Sequence, residues 1–223
     1  MYDSQLFHTY INRHPVVWVR DILNFYINSG FASQNISLSF SKYIYKPQSF
    51  SDKREIFTLP FHQFSEISLF NIISELRENE ELAFHSYIQD FGNTYHLPLI
   101  DFGNVDRGII DSEPLRELAQ HWGLSFSIYN SGRSFHAYAN KLLSLNDWIK
   151  FMGSLLLLNK PSGFKLIDER WVGHRIMANY AALRWSHNTA HYKKTPMYVG
   201  FLNSEGLFLE DPKKVWPPVP PTL

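Results

Sequence analysis

Apolar residues recur at helical spacing over residues 14–30, where Val16, Val19, Leu23, Tyr26 and Ile27 form one stripe. Pro15 suits the first turn of that helix and Gly30 its end. Residues 35–45 change to a period of two, with Ile36, Leu38, Phe40 and Ile44 alternating with polar neighbours, which predicts a strand. Helical spacing returns over 65–79 through Leu69, Ile72, Ile73 and Leu76, with Ser65 as the cap. Residues 82–90 and 95–102 read as two strands joined through Phe91-Gly92-Asn93-Thr94, a hairpin signal. A helix follows from Asp111-Ser112-Glu113-Pro114 to Gly123, with Leu115, Leu118, Ala119 and Trp122 on its apolar face.

The segment the chain is organised around is 127–138, SIYNSGRSFHAY, which alternates on both sides of a glycine break and predicts strand, tight turn and strand. Beyond it, Asn146 caps an amphipathic helix through Trp148, Phe151, Met152, Leu155 and Leu156, a core stripe that stops at Lys160-Pro161-Ser162-Gly163. Residues 164–167 form a short strand that delivers Asp168, and 181–185 and 197–202 are further strands. WPPVPP from Trp216 is an extended tail.

With 223 residues, 44% hydrophobic and 16% aromatic, the chain can bury a substantial core. It holds no cysteine, which excludes disulfides, thiolate zinc sites and a cysteine nucleophile. No secretory signal or membrane-spanning run is visible, so a cytoplasmic protein with no membrane partner is expected, a nucleus or organelle remaining open. The net charge is zero but unevenly spread: residues 51–120 carry 5 Lys and Arg against 13 Asp and Glu, and residues 121–200 carry 10 against 3. A basic stretch around the central hairpin suits phosphate binding, or simply a solvated face.

Within that hairpin Ser134 and His136 share one face, and Arg133 at the bend can swing toward it. A hydroxyl, an imidazole and a guanidinium beside a glycine turn can grip phosphate; a hairpin whose polar side merely faces water is the alternative. Asp101 and Asp168 each end an apolar strand, where a carboxylate either holds a divalent cation or initiates a turn. Two such carboxylates can bind Mg²⁺ or Mn²⁺ while cations and hydroxyls opposite hold the triphosphate that the metal bridges. His187 and His191 are four apart, but Asn188 follows His187, so the H-E-x-x-H pattern of a metalloprotease is absent. Trp171, Trp185 and Tyr192 are either base-stacking or core aromatics.

The order of these motifs resembles the archaeo-eukaryotic primase superfamily over residues 80–202. LIDFGN (99–104) is similar to its first acidic motif, SGRSFHAY (131–138) to its S-x-H motif, and LIDERW (166–171) to its third. ALRWSHN and KKTP resemble its basic segment. The family carries D-x-D or D-x-E in the first motif, whereas here Gly103 stands two positions after Asp101; Asn104, Asp106 and Glu169 are the nearest substitutes.

The expectation is therefore an α+β protein with a primase-like core of mixed or antiparallel β-sheet flanked by helices. Its domains would be an N-terminal helix and strand extension (1–80), the nucleotide-binding core (81–210) and a Pro-rich tail (211–223). The resemblance implies a nucleotidyltransferase of primase or primase-polymerase type, acting on nucleoside triphosphate and on single-stranded or primer-template nucleic acid. A helicase or another replication or defence protein would be its partner. Asp101, Asp168 and His136 would be catalytic, the two aspartates holding Mg²⁺ or Mn²⁺, and Ser131, Arg133, Ser134, His136, Arg184, Asn188 and Lys193 would bind nucleotide. Gly103 leaves open the alternative of a catalytically degenerate nucleotide-binding adaptor.

Overall fold

Helix α1 (Pro15–Asn28) buries Val16, Val19, Leu23 and Tyr26 of the predicted stripe and widens it with Trp18 and Ile22, leaving Ile27 half-buried, with Pro15 in its first turn. Its cap is a histidine. Nδ1 of His14 accepts a hydrogen bond from the Val16 N–H (3.1 Å), so its proton sits on Nε2, which donates to the Trp185 carbonyl (2.9 Å). The computed structural model describes residues 11–103, 113–163 and 165–210. The expected helix start at Asp111-Ser112, residue Phe164, the substitutes Asn104 and Asp106 and the tail from Trp216 lie outside the described residues.

Among the described residues, ten strands form two antiparallel sheets. In the first, β1 (Ser37–Ile44) lies between β2 (Glu55–Pro60) and β3 (Glu80–Asp90), while β4 (Asn93–His96) and β8 (Ala182–Arg184) share the other edge of β3. The second runs β10 (Gly206–Leu209), β9 (Met197–Asn203), β6 (Phe126–Asn130), β7 (Phe135–Ala139), β5 (Leu99–Asp101). Four more helices flank them: α2 (Glu66–Ser74), α3 (Glu113–Trp122), α4 (Leu145–Leu156) and α5 (Glu169–Ala178). Ser65 caps α2 as expected, whereas α4 is capped by Ser144, two residues ahead of Asn146, which lies inside the helix.

The expected strand over 95–102 is two strands in different sheets. Pro98 has no N–H to give to a ladder, and the chain changes sheets there, from β4 at His96 to β5 at Leu99. The Leu97 N–H returns to the Ser86 carbonyl (2.8 Å), while the Pro98 carbonyl accepts from Ala139 (3.0 Å), so this corner fastens the sheets together. The segment before residue 80 contributes β1 and β2 to the first sheet, and one apolar cluster joins Val16, Leu38 and Phe40 to Phe84, Phe126 and Trp148. Trp185, fully buried, stacks on Phe84 at 4.7 Å, so it belongs to this core. Among the described residues no helix is long and apolar enough to cross a membrane.

Three histidines are buried in the frame: His14, His96 and His85, the last bonded by both ring nitrogens to Ser39 and Ser41 (2.8 Å each). Burial pushes their pKa values down from the usual 6.5, to about 4, about 4 and about 3 respectively. The unfolded chain therefore binds more protons than the folded one below pH 6.5, and stability rises with pH through this window. Acidification from pH 6.5 toward 4 should destabilise the fold by up to about 3 kcal/mol per histidine. Urea midpoints measured across that range check this, and a flat profile would contradict it.

Candidate active site

Asp101 ends β5 directly opposite His136 on β7, with Nε2 of the imidazole 3.8 Å from Oδ1 of the carboxylate. The two side chains meet because antiparallel partners project to one face. His136 is buried, and burial with the Arg184 charge as a lesser cause holds its pKa well below the usual range, so the ring is neutral. Its Nδ1 is buried with no hydrogen-bond partner.

The β6–β7 turn stands beside this pair. Gly132 adopts φ +115°, a conformation that side-chain-bearing residues avoid, and a Cβ there would also stand 3.1 Å from Cβ of Lys193. The glycine thus lets the 191–194 loop press against the turn. Arg133 donates to the His191 carbonyl (2.5 Å), and the Ser134 hydroxyl reaches the carbonyls of Phe102 and Gly103, clamping the turn to the end of β5. Ser134 precedes β7 rather than lying within it. Arg184, from the other sheet, donates to the Ser131 carbonyl (2.7 Å) and lies 4.1 Å over the Tyr192 ring.

Asp168 arrives by a route the sequence pattern did not show. The expected strand before it is one antiparallel bridge, Phe102 to Ile167, flanked by bonds from the Gly103 N–H to the Leu166 carbonyl (2.9 Å) and from the Asp168 N–H to the Asp101 carbonyl (3.1 Å). Asp168 is the N-cap of α5, its Oδ1 accepting from the N–H groups of Arg170 and Trp171 at 3.0 Å. That leaves Oδ2 outside the cap. Burial and the neighbouring Asp168 carboxylate raise the Asp101 pKa well above its ordinary value, against the opposing charge of Arg184. Two carboxylates whose charges act on each other in this way favour positive charge between them. Among the described residues, however, no group of three or more His, Asp or Glu side chains is arranged to hold a metal.

Gly103 explains the missing third acid. A Cβ at this position would meet the Lys165 carbonyl oxygen at 2.6 Å, a collision with backbone rather than with a flexible side chain. Where the family motif carries a second carboxylate, this chain carries the returning 165–167 segment.

These groups line one cleft of about 1240 Å³, together with residues 42–49 and 51–55. Ser131, Arg133, Ser134, His136, Arg184, Lys193 and both aspartates are in the lining. Asn188 is not: its carboxamide donates to the Arg77 and Glu80 carbonyls, and its N–H to Glu81, fixing the loop after β8. His187 and His191 share no helix; His187 bonds the Tyr192 carbonyl (3.0 Å) and His191 stacks on Tyr45 (4.3 Å). The lining carries ten Lys and Arg side chains against six Asp and Glu, although the whole chain is neutral. Several of the ten come from the N-terminal segment, where Lys42, Lys46, Lys53 and Arg54 within thirteen residues are the signal that sequence reasoning passed over.

A sequence-family model described as AEP-like, archaeo-eukaryotic primase 1D-like, matches residues 60–197, more than half of the chain. No curated protein and no solved structure matches it at a significant level.

Gly103→Ala should destabilise the fold by about 1–3 kcal/mol, because the methyl group must displace the Lys165 carbonyl. Gly153→Ala on α4, where a Cβ has open space around it, should be stabilising by up to about 1 kcal/mol. Urea unfolding of the pair checks this; equal midpoints would contradict the packing at residue 103.

Proposed function

The chain belongs to the archaeo-eukaryotic primase 1D-like family, and we propose that its cleft binds a nucleoside triphosphate and a nucleic-acid strand and extends the strand around a single divalent cation. The observation that carries this reading is the convergence of three sequence-distant segments, bearing Asp101, His136 and Asp168, in one cleft rich in cations. The paired carboxylates fit one Mg²⁺ or Mn²⁺, and the sealed position at Gly103 withholds the ligand a second would need. When bound, such an ion neutralises phosphate charge and polarises the α-phosphate toward the strand's 3′-hydroxyl.

The protein's own groups divide the remaining work. His136, held neutral, donates one N–H to a phosphate oxygen without bringing a charge of its own. Ser134 positions the turn, since its hydroxyl hydrogen is engaged by backbone carbonyls. Arg133 and Lys193, exposed at the mouth, meet the triphosphate; Arg184, spanning the sheets from Ser131 to Tyr192, sets the local positive potential. Tyr45, Tyr192 and His191 form an aromatic wall on which a base can stack. The Lys165 carbonyl over Gly103 favours a second reading, a binding-only adaptor, in which nucleotide is held but not incorporated.

Binding of a labelled nucleoside triphosphate, titrated with and without Mn²⁺, tests the proposal. Mn²⁺ should tighten binding in the wild type. His136→Ala should weaken it by about 10- to 100-fold, the worth of one hydrogen bond to a charged group. Asp168→Asn keeps a good helix cap, so it should lose the metal effect without unfolding. Incorporation into a primed single-stranded template separates the polymerase from the adaptor, and equal binding by wild type and His136→Ala overturns both.

A further inference from the structure

The β1–β2 loop and α5 bring a second set of charges into the cleft. The β1–β2 loop lies along α5: Arg170 donates to the Ser49 carbonyl (3.2 Å), His174 meets the Phe50 ring (6.3 Å between centroids), and Arg175 pairs with Asp52. Arg175 is only 2% exposed and its guanidinium lies beside the Tyr180 ring, 5.6 Å from the ring centre, yet its Nε and Nη1 make no hydrogen bond of good geometry. Asp52 is also bound by Nε of Arg54 through both oxygens (2.9 and 2.8 Å), and Arg54 lies 4.2 Å over the Tyr43 ring. One carboxylate therefore serves two guanidiniums.

Leaving N–H donors of a buried guanidinium unpaired is costly, and a site built for structure alone would pair them. Both arginines line the cleft, and their planar forks match the two oxygens of a phosphodiester. We propose that Arg54 and Arg175 form a recess for one phosphodiester of a nucleic-acid strand, with Asp52 as an internal carboxylate that competes with the phosphate for the same donors. The choice of a strand as occupant rests on the primase-like reading of the cleft; the recess rests on the unpaired donors. Entry of the phosphate transfers the guanidiniums from Asp52 to the strand and moves the β1–β2 loop off α5.

The test is fluorescence anisotropy of a labelled single-stranded oligonucleotide over a range of salt concentrations, with labelled nucleoside triphosphate titrated in parallel. Arg175→Gln should weaken oligonucleotide binding about tenfold and reduce the salt slope by about 0.7, the value of one phosphate contact on a single strand. Arg175→Lys should recover part of the loss. Asp52→Asn should tighten binding several-fold, and by more than Glu55→Gln, which removes the same charge elsewhere in the lining. Triphosphate binding should be unchanged in all four. Thermal melting identifies any variant that fails to fold, and Arg54→Gln, on the same recess, then stands in for Arg175→Gln.

Unchanged oligonucleotide binding in the arginine variants overturns the recess, as does an Asp52→Asn effect no larger than that of Glu55→Gln. Loss of triphosphate rather than strand binding also overturns it, since the arginines would then serve the nucleotide. A wild type that binds triphosphate but no oligonucleotide removes the recess and leaves the nucleotide site standing. A wild type that binds oligonucleotide through Arg175 but no triphosphate does the reverse.

Discussion

The short antiparallel contact between residues 101–103 and 165–168 is the constraint on which the site depends. Two backbone hydrogen bonds make it, Gly103 to Leu166 and Asp168 to Asp101, and together they are the Phe102–Ile167 bridge. This contact carries Asp168 from the far end of the chain to the side of Asp101 and starts α5 there, so the helix cap and the candidate metal ligand are one residue. It also removes the space for a side chain at 103. The convergence of two acids and the loss of a third thus have one cause, and a side chain cannot be added at 103 without disturbing the acid at 168.

Electrostatics follows from the same geometry. Asp101 and Asp168 repel each other in a partly buried place and Arg184 reaches across from the opposite sheet to offset them, while burial, with Arg184 as a lesser cause, keeps His136 uncharged. A negative point surrounded by cations suits a ligand that brings a metal ion and phosphates together. His14, His85 and His96 are built into the frame around it as neutral rings, His14 against the Val16 N–H and the Trp185 carbonyl, His85 between Ser39 and Ser41, and His96 against Ser86 and the Trp148 ring.

Much of this was legible in the sequence where a period or a motif is local. Helix α1, strand β1 and the glycine turn between β6 and β7 all appear at the predicted places, although β1 buries Ser39 and Ser41 along with Leu38 and Phe40 and leaves Ile44 exposed, and the α+β, primase-like reading holds with every described strand pairing antiparallel. What was not legible depends on distant partners. The 95–102 run looks continuous because His96 and Leu99 are both buried, but they are buried in different sheets. Asp168 looks like a strand end because the apolar residues before it number only a few, and the cap is recognised only with the helix after it. Asn188 stands within the basic segment yet ties down the loop after β8. Arg54 and Arg175 stand more than a hundred residues apart, and nothing in either neighbourhood announces that Asp52 joins them.

The central claim is that sealing position 103 leaves room for one divalent cation beside the paired aspartates. The most direct measurement is the stoichiometry of Mn²⁺ bound per chain in the presence of a saturating, non-hydrolysable nucleoside triphosphate, read by electron paramagnetic resonance of free Mn²⁺. The account predicts one ion per chain, dependent on Asp168. Two ions per chain, or one that persists in Asp168→Asn, would contradict it.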